Sequence, residues 1–455
     1  MDGLEACVEK MRGEGLPDAA IATFEHYYRQ LAEGETGMIP ESEIEPVDDV
    51  QQLDDLSDED APLDEAVVLK LNGGLGTSMG MTRAKSLIEA KDGHSFLDII
   101  GRQVLELRRR TGARLPLVLM NSFYTHDDAL EALDDEVGSD VPPDFVQHKE
   151  PKVLVDDLAP AEWPDDPSLE WCPPGHGDLY PALLSSGMLD ALREHGYRYA
   201  FVSNSDNLGA VLDPRILAWL AREEIPFAME VTRRTEADRK GGHIARRGGG
   251  YVLRETAQTP KEDLDALQDI GRHRYVNTNN LWIDLDALRR VLEEREGVLG
   301  LPLIVNRKTL DPGDKSTPEV FQLETAMGAA IGVFEGAQPI AVPRRRFSPV
   351  KTTEDLLALR SDAYAVLEDA RVELAAERDG TPPVVDLDDD YYKLLRDFDA
   401  RFPEGAPSLV ACERIAVEGD VTFGRDVVVR GSVTVHGPRE IEDGAVLEPP
   451  AQAGS

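Results

Sequence analysis

Hydrophobic residues follow two alternating patterns through most of the chain. Short apolar runs, which predict buried β-strands, occupy residues 66–71, 117–120, 200–202, 227–231 and 280–283. Between the first two runs, Ile100, Val104 and Leu107 share one face of a predicted helix that ends at Gly112. Strands that alternate with helices predict an open α/β sheet, in which ligands bind beyond the carboxyl ends of the strands.

The start of the chain has a helical pattern followed by an acidic stretch. Phe24, Tyr28 and Leu31 recur at helical spacing before Gly34, and residues 48–64 are crowded with carboxylates. We therefore expect a helical segment and an exposed acidic linker.

The end of the chain has a period of six residues. Glycines interleave with two aliphatic series, which are Ile415, Val421, Val427 and Val433, and Val417, Phe423, Val429 and Val435. This period predicts a short left-handed parallel β-helix, with a role in packing or in a homo-oligomer. The predicted domains are residues 1–60 (helical segment and linker), 61–360 (α/β domain), 361–400 (helical connector) and 401–455 (β-helix).

The composition is that of a folded protein. The chain has 455 residues, of which 41% are hydrophobic and 30% are charged. Its apolar runs are shorter than the roughly 18–20 residues of a membrane span, and its N-terminus lacks the features of a signal peptide, so we expect a cytoplasmic protein. Cys7, Cys172 and Cys412 lie far apart, which argues against a disulfide framework and against a zinc cluster.

The charge is strongly negative. The chain has 48 basic and 87 acidic residues and a formal charge of −39, which disfavours binding to nucleic acid or to an anionic membrane. Salt adaptation and a composition bias would both produce this excess. A phosphate site on this chain must be locally basic, which is possible because the Debye length is only about 8 Å at physiological salt.

A glycine-rich loop follows the first predicted strand. Residues 71–80 read L-N-G-G-L-G-T-S-M-G, and Lys85 lies close behind them. Glycines let a backbone approach a nucleotide, and their N–H groups can line a phosphate site. The spacing matches neither the dinucleotide fingerprint nor a Walker loop. An ordinary tight turn remains an alternative, but the lysine favours binding.

This loop and eight later motifs resemble the eukaryotic-type UTP–glucose-1-phosphate uridylyltransferases. The later motifs occur in the same order as in that family, over roughly residues 65–360: N-S-F-Y-T-H-D-D (121–128), F-V-Q (145–147), P-P-G-H-G-D (173–178), N-S-D-N-L-G (204–209), K-G-G (240–242), N-T-N-N-L-W (277–282), Q-L-E-T-A-M-G-A-A-I (322–331) and P-V-K-T-T-E-D-L (349–356). The resemblance implies a Rossmann-like, GT-A-like nucleotidyltransferase domain with a mixed sheet. It also implies UTP and glucose 1-phosphate as substrates and Mg²⁺ as the cofactor.

The resemblance implies roles for the residues that would meet the nucleotide. Leu71 and Gly73 would contact the uridine, Gln147 and Gly175 would read the edge of the uracil, and His176 would face the sugar phosphate. The predicted substrate-binding set also includes three residues of the same motifs, Asn72, Gly74 and Asn204.

Other residues would meet the phosphates and the sugar. Asp206 resembles the magnesium ligand of the family, and a single carboxylate suffices because Mg²⁺ keeps waters and binds substrate phosphates. Lys85 and Lys351 would offset charge on the phosphates. On the sugar side, the resemblance points to Gly242, Glu255 and Asn279.

Several of these residues also have an ordinary structural interpretation. His176 would then be a histidine with satisfied hydrogen bonds, and Asp206 would form an Asx turn. Glu255 would be a surface charge on a strand over residues 251–256. Lys351 would be a solvated lysine before a helix whose N-cap follows it.

Two basic segments are ambiguous. The family usually has Gly-Pro before the lysine that corresponds to Lys85, whereas this chain has Arg83-Ala84. Arg83 would then help to bind pyrophosphate, or the loop would move differently. Residues 344–346 are three arginines, which are more often solvated or salt-bridged than functional.

Three rival functions remain open at this point. A UDP-N-acetylhexosamine pyrophosphorylase, or a broader sugar uridylyltransferase, would share the fold, although Asn72 favours glucose. A nucleotide-sugar binding protein without activity is disfavoured by the presence of Asp206, Lys85 and Lys351. An NAD-dependent oxidoreductase is disfavoured by the spacing of the glycines.

Overall fold

The computed structural model describes residues 3–449, which are built around a mixed central sheet. Residues 1–2 and 450–455, at the outer ends of the first and last predicted domains, lie outside the described part. The main path of the sheet has the strand order Gln51–Gln52, Gln338–Ala341, Phe227–Arg233, Tyr275–Asp284, Tyr199–Asn204, Ala66–Asn72, Leu117–Asn121 and Asp144–Val146. Three further strands join it beside Tyr275–Asp284, namely Glu45–Pro46, His243–Arg247 and Gly250–Arg254.

Neighbouring strands on the main path are parallel, with one exception. Tyr275–Asp284 runs antiparallel to both of its neighbours, Tyr199–Asn204 and Phe227–Arg233. The α/β class and the mixed sheet that the sequence predicts are therefore confirmed. Each of the five predicted apolar runs lies within an observed strand of this sheet.

The α-helices found within residues 3–449 pack around this sheet and at the two ends of the chain. They are Gly3–Gly13, Asp18–Ala32, Phe96–Thr111, His126–Ala132, Leu179–Ser185, Met188–Glu194, Pro214–Glu223, Leu264–Gln268, Leu285–Glu294, Thr353–Arg360, Asp389–Tyr392 and Leu395–Arg401.

The helix Phe96–Thr111 shows how local chemistry sets these boundaries. At its start the Ser95 hydroxyl accepts from the backbone N–H of Asp98 at 3.1 Å, and the Asp98 carboxylate accepts from the N–H of Ser95 at 2.8 Å. This capping box satisfies two backbone groups that the helix leaves unpaired. At its end Gly112 has a φ of 74°, the left-handed conformation that glycine adopts without steric cost.

The strand Ala66–Asn72 divides two hydrophobic cores, because successive side chains of a strand point to opposite faces of the sheet. Val67 and Leu69 belong to one core, and Val68 belongs to the other. The Val68 core continues into the C-terminal residues, including Ile415 and Phe423. The C-terminal region is therefore packed onto one side of the central sheet by a continuous apolar interface.

The N-terminal helices cover a small separate sheet. Phe24 and Tyr28 are buried in one cluster with Val153, Leu303 and Leu323. These last three belong to an antiparallel sheet made of the strands Val153–Leu154, Leu303–Thr309 and Glu319–Thr325. The predicted N-terminal helices are confirmed. Outside the C-terminal strands, the two-stranded sheets of residues 3–449 pair Glu89–Lys91 with His94–Ser95, Glu150–Pro151 with Trp171–Cys172, and Tyr364–Val366 with Val372–Leu374.

The C-terminal strands pair in parallel, and the last pairs share one offset. Val421 pairs with Arg439 and Val428 with Val446, an offset of eighteen residues in both cases, which is three times the six-residue period. The strands in this region are Val384–Leu387, Cys412–Glu418, Val421–Phe423, Val428–Val429, Gly431–His436, Arg439–Ile441 and Val446–Leu447. Of the eight periodic apolar residues, seven are buried and Val433 is partly buried.

The segment before this region is not the helical connector that the sequence analysis predicts. Residues 364–374 form a β-hairpin, and Val384–Leu387 is a strand that pairs with Cys412–Glu418. Helices appear only at Asp389–Tyr392 and Leu395–Arg401. The prediction is wrong because the segment carries β-branched valines and the Pro382-Pro383 pair, which disfavour a helix.

Two further findings concern the general properties of the chain. Within residues 3–449, no helix combines the length and the apolar character that a membrane crossing requires. Cys7, Cys172 and Cys412 are buried free thiols.

Candidate active site

The carboxyl ends of three parallel strands bring distant residues into one row. Asn204 is paired with Leu71, and Leu71 is paired with Met120. The loops that follow these strands therefore share one crevice. A cavity of about 310 Å³ opens there, and nine of the fourteen predicted site residues line it; the lining is Leu71, Gly73, Gly74, Lys85, Met120, Gln147, Pro173, Gly175, His176, Asn204, Ser205 and Asp206.

The glycine loop, residues 72–80, forms one wall of this cavity. Gly76 and Gly80 have φ values of 63° and 73°, and they flank a single turn of 3₁₀-helix. Gly73 lies flat against the Gln147 carboxamide, since a β-carbon placed at Gly73 would lie 3.0–3.3 Å from all three amide atoms of Gln147. A side chain at position 73 would displace Gln147 from the cavity wall.

A lysine and a carboxylate meet at the mouth of the cavity. The Lys85 ammonium donates to Oδ2 of Asp206 at 2.9 Å, and it also contacts the carbonyl oxygen of Val350. The backbone N–H of Val350 donates to the carbonyl of Asp206 at 3.0 Å. These contacts connect the segments that carry Lys85, Asp206 and Val350, which are distant in the sequence. Oδ1 of Asp206 is buried and has no hydrogen-bond partner among the described residues.

His176 is held in one protonation state by its surroundings. Burial lowers the pKa of its imidazole to about 4, so the ring is neutral near pH 7. Its Nδ1 accepts a hydrogen bond from the backbone N–H of Met327 at 2.9 Å. An accepting Nδ1 carries no proton, so Nε2 carries it and is a hydrogen-bond donor. His176 can therefore donate to a phosphate or hydroxyl oxygen, but it brings no positive charge.

A second set of predicted residues lies around Glu255. A β-carbon on Gly242 would overlap the Glu255 carboxylate. Burial raises the pKa of Glu255, while the charge of Lys351 and a hydrogen bond from Asn277 oppose that shift. The side chain of Asn277 donates to Oδ1 of Asn279 at 2.8 Å, and Asn279 has a φ of 57°. This set offers amides and a carboxylate, which suit sugar hydroxyls.

The two sets adjoin across one short turn. Met327 donates its N–H to His176 of the cavity. The next residue, Gly328, lies against Asn277, since a β-carbon there would be 3.2 Å from Nδ2 of Asn277. The backbone of Met327 and Gly328 therefore lies between the cavity and the amides around Glu255.

Lys351 lies between these sets without lining the cavity. It follows Val350, which contacts both Lys85 and Asp206. Its side chain is exposed, and within residues 3–449 its ammonium has no carboxylate within 4.0 Å. Its backbone N–H donates to Asp355, the residue that also caps the helix Thr353–Arg360. The backbone of Lys351 therefore precedes a capped helix, as the structural interpretation predicts. Its exposed side chain is free to reach a ligand.

Asn72 does not face the cavity. It is 2% exposed, and its side chain donates to Oδ1 of Asn121 at 2.8 Å. Asn121 in turn donates to Asp144 at 2.9 Å, so Asn72 is anchored through the ends of the next two strands. The structure thus places the predicted Asn72 behind the wall, where it holds the start of the glycine loop.

Residue-level prediction also missed part of the lining. Met120, Pro173 and Ser205 line the cavity, and Asn277 lies beside Glu255. Pro173, Ser205 and Asn277 belong to motifs that the sequence analysis singled out. Met120 carries no motif signal, and only its register with Leu71 identifies it.

The two ambiguous basic segments form ion pairs. The exposed Arg83 makes two hydrogen bonds to the half-buried Asp128, at 3.0 and 3.3 Å. Arg344 pairs with Asp238, and Arg346 makes a buried pair of hydrogen bonds to Glu230 at 2.6 and 2.8 Å. Arg345 lies 3.7 Å from the Glu373 carboxylate, so the salt-bridged interpretation is confirmed for all three arginines.

A buried lysine holds the loop that carries Asp206. The Lys70 ammonium donates to the Ser203 hydroxyl at 2.7 Å and to the carbonyl of Ala210 at 2.8 Å. These acceptors lie on either side of residues 204–209, so Lys70 fixes both ends of that loop. Burial lowers the pKa of Lys70 to about 7, because its side chain is almost fully removed from water.

The chain is similar to known proteins of one family. The family model described as UTP–glucose-1-phosphate uridylyltransferase matches residues 21–430. The enzyme of that name from Hordeum vulgare is 41% identical and aligns over 98% of this chain and 96% of its own; that from Saccharomyces cerevisiae is also 41% identical, over 85% of this chain and 77% of its own.

Solved structures give the same result for the fold. A crystal structure of a Leishmania major UDP-glucose pyrophosphorylase variant in complex with UDP-glucose has 47% identity and a TM-score of 0.93, with 98% of both chains covered. A structure from Trypanosoma brucei has 45% identity and a TM-score of 0.90, again with 98% of both chains covered. The chain therefore belongs to the UTP–glucose-1-phosphate uridylyltransferase family.

Proposed function

We propose that this chain transfers the uridylyl group of UTP to glucose 1-phosphate, with release of pyrophosphate and formation of UDP-glucose. Family membership supports the reaction. The observation that carries the proposal is the convergence of Lys85, Asp206 and the Val350–Lys351 segment at the mouth of a glycine-lined cavity. Such a site can hold two polyanions close together on a protein whose formal charge is −39.

The reaction that we propose is a direct displacement. A phosphate oxygen of glucose 1-phosphate attacks the α-phosphorus of UTP, the bond from that phosphorus to pyrophosphate breaks, and pyrophosphate leaves. The attacking group is already an anion, so no protein nucleophile is required. The protein has to position the two substrates and to offset their charge.

The roles of the residues follow from their positions. Lys351, with a free ammonium, would neutralise the attacking phosphate, and Lys85 would neutralise the phosphates of UTP. The neutral His176 would donate a hydrogen bond from Nε2 to the sugar phosphate. The uridine would lie against Leu71 and Gly73, with the uracil edge toward Gln147 and Gly175.

The sugar would bind on the far side of the Met327–Gly328 turn. There the Glu255 carboxylate and the side chain of Asn279 would meet its hydroxyls, and Gly242 leaves the space that Glu255 fills. Gly74 and Asn204 line the cavity and would contact the nucleotide, while Asn72 would act by anchoring the loop.

Asp206 is the residue that we propose as the ligand of a magnesium ion. Its Oδ1 is buried and unpaired, whereas its Oδ2 faces Lys85, so one oxygen is available for a cation. Among residues 3–449 there is no cluster of three or more His, Cys, Asp or Glu side chains that could hold a metal. This donor set suits Mg²⁺, which binds few protein carboxylates and keeps water and substrate phosphates. When bound, the ion would offset negative charge on the phosphates.

Pyrophosphate release from the purified protein tests this function. We expect release with UTP and glucose 1-phosphate, and much less with N-acetylglucosamine 1-phosphate or with other nucleoside triphosphates. A preference for N-acetylglucosamine 1-phosphate would instead identify a UDP-N-acetylhexosamine pyrophosphorylase. Binding of UDP-glucose without any release would identify a nucleotide-sugar binding protein.

We also propose that the C-terminal region is a left-handed parallel β-helix. The six-residue period and the parallel offset of eighteen residues support a coil of three faces. The domain limits at residues 1–60, 61–360, 361–400 and 401–455 stay proposals, as does a homo-oligomer formed through the last of them. Light scattering on the purified chain would test the oligomer. A cytoplasmic location stays a prediction from the sequence.

A further inference from the structure

Three side chains outside the lining of the cavity form a continuous hydrogen-bonded chain. Nδ1 of His148 contacts Oδ1 of Asp178 at 2.8 Å, and Nε2 of His148 contacts the Ser185 hydroxyl at 2.8 Å. Oδ2 of Asp178 also accepts from the backbone N–H of His148 at 2.6 Å. His148 and Asp178 are only 8% and 4% exposed. We call this set the Asp–His–Ser clamp.

The clamp has the residue types of a hydrolase triad, but its surroundings do not suit hydrolysis. Ser185 is the last residue of the helix Leu179–Ser185. Carbonyl oxygens, and not N–H groups, are left unpaired at that end of a helix, so an oxyanion formed at Ser185 would face acceptors. Hydrolysis would need donors at that position. The constellation therefore requires another explanation.

The positions of its members supply that explanation. His148 directly follows Gln147, and Asp178 ends the turn that carries Gly175 and His176. Gln147 and Gly175 both line the cavity, and both are proposed above to contact the uracil. The Asp178 carboxylate accepts hydrogen bonds from both the ring and the backbone N–H of His148. These buried hydrogen bonds therefore set the distance between the segments that carry Gln147 and Gly175.

We propose that the Asp–His–Ser clamp positions the base-recognising walls of the cavity and thereby sets the selectivity for uracil. This inference rests on the proposed binding of UTP in that cavity. Asp178 holds residue 148, and through it the backbone of Gln147. An ionised carboxylate can only accept, so Nδ1 of His148 donates to Asp178, and Nε2 of the same ring shares a hydrogen bond with the Ser185 hydroxyl. Ser185 therefore fixes the ring that Asp178 orients.

The structure also explains why such a device is needed at Gln147. Its carboxamide lies against Gly73, which has no side chain to hold it. An amide carries one donor side and one acceptor side, and uracil and cytosine present opposite patterns at N3 and at position 4. Discrimination between them therefore requires one orientation of the amide as well as one position, and the clamp fixes the backbone from which the amide extends. His148, Asp178 and Ser185 are positioning residues, because none of them lines the cavity.

The test compares two clamp variants with a neighbouring control. His148→Phe removes both ring hydrogen bonds, and Ser185→Ala removes the outer one. Ser186→Ala is the matched control, because the Ser186 hydroxyl donates to the carbonyl of Ala182 at 2.6 Å on the same helix end and does not touch the clamp. Thermal unfolding establishes which variants fold. The readouts are KM and kcat for UTP and CTP, and the dissociation constants of UTP and CTP from calorimetry.

We expect Ser185→Ala to raise the KM for UTP by about 3- to 10-fold, the effect of losing one hydrogen bond, with kcat changed less than about 2-fold. His148→Phe leaves the buried Asp178 partly unpaired, so we expect a rise of at least about 10-fold and a fall of similar size in the preference for UTP over CTP. Ser186→Ala should match the parent. Folded clamp variants with the parental KM and the parental preference would overturn the proposal.

Other outcomes also decide the question. If His148→Phe does not fold, Ser185→Ala decides it, and a parental KM for UTP in that variant overturns the clamp. If the parent releases no pyrophosphate, the proposed function fails, but the ratio of the two dissociation constants still tests the clamp. An equal loss of UTP and CTP affinity would show a general structural role and would count against the inference.

Discussion

Among the predicted site residues, Lys351 is the one whose proposed role most requires a side chain that is free to reach a phosphate. Its ammonium has no carboxylate within 4.0 Å among the described residues, yet its charge opposes the raised pKa of Glu255. We expect Lys351→Ala to lower the turnover for pyrophosphate release by about 100-fold or more, the effect of removing a preorganised charge partner. The control is Lys315→Ala, which changes an exposed lysine between the strands Leu303–Thr309 and Glu319–Thr325 and should retain parental turnover. A folded Lys351→Ala enzyme with normal turnover would contradict the assignment.

Gly242 tests the sugar side of the site. A β-carbon there would overlap the carboxylate of Glu255, and Glu255 would lose its hydrogen bond to Asn277. We expect Gly242→Ala to raise the KM for glucose 1-phosphate by at least about 10-fold, because a displaced carboxylate leaves a polar group unpaired, with little change in the KM for UTP. The control is Gly250→Ala, where the nearest atom to an added β-carbon is 3.9 Å away. Equal effects on both substrates would place Gly242 outside the sugar site.

Side-chain roles could be predicted from the sequence only where a motif carried them. The resemblance placed Lys85 and Asp206 in one site, but their direct contact joins residues that are 121 positions apart. Nothing in a local pattern predicts that Asn72 turns away from the cavity. That orientation depends on Asn121 in the neighbouring strand.

The sequence predicts the strands and helices of the central α/β region better than it predicts residues 361–400, which connect that region to the C-terminal strands. The strand Ala66–Asn72 is buried on both faces and therefore reads as an unbroken apolar run. Residues 364–387 are short β-strands that depend on partners elsewhere, since Val384–Leu387 pairs with Cys412–Glu418. Short segments of this kind have little periodicity of their own, so their structure is decided by the strands that they join.

Two stacked histidines join the strand His243–Arg247 to the segment before Tyr275–Asp284. The rings of His243 and His273 are 3.8 Å apart and fully buried. Burial, and then the charge of His273, lower the pKa of His243 well below its ordinary 6.5. Burial also lowers the pKa of His273, against the opposing effect of Glu41. Both rings are therefore neutral in the folded protein near pH 7.

This burial makes folding stability depend on pH. An unfolded chain takes up protons at these rings as the pH falls below 6.5, whereas the folded chain takes them up only at lower pH. We therefore expect these rings to lower the free energy of unfolding as the pH decreases from 6.5 to about 5, while Glu150, whose pKa burial raises well above its ordinary 4.5, acts in the opposite direction. His176, whose pKa burial lowers to about 4, contributes in the same window. Denaturant titrations across this range measure the slope.

A variant isolates the contribution of the stack. His243→Phe keeps an aromatic ring beside His273 but cannot take up a proton when unfolded, so its stability should vary less with pH. His195→Asn, at an exposed histidine, should retain the parental slope. A His243→Phe variant with that same slope would show that the stack is not the source of the pH dependence.

The whole molecule combines a strongly acidic composition with a cavity that Lys85 lines and that Lys351 adjoins. The formal charge is −39, while Lys85 and Lys351 stand at one crevice. Composition predicted this contrast, because only a local cluster of cations can bind polyanions on such a body. It could not predict which cations would be left free. Most arginines form ion pairs, as Arg83 does with Asp128 and Arg346 with Glu230.

The acidic excess predicts that salt stabilises the fold. Raising KCl from about 0.1 to about 1 M shortens the Debye length from about 10 to about 3 Å, which weakens repulsion between unpaired surface carboxylates. Surface ion pairs also weaken, but each contributes only about 0–1 kcal/mol. We expect the melting temperature to rise by at least about 3 °C. Replacing two unpaired linker carboxylates, Asp55→Lys and Glu59→Lys, should raise it at low salt and reduce its dependence on KCl. A melting temperature that falls with KCl would mean that attractive ion pairs outweigh the repulsion.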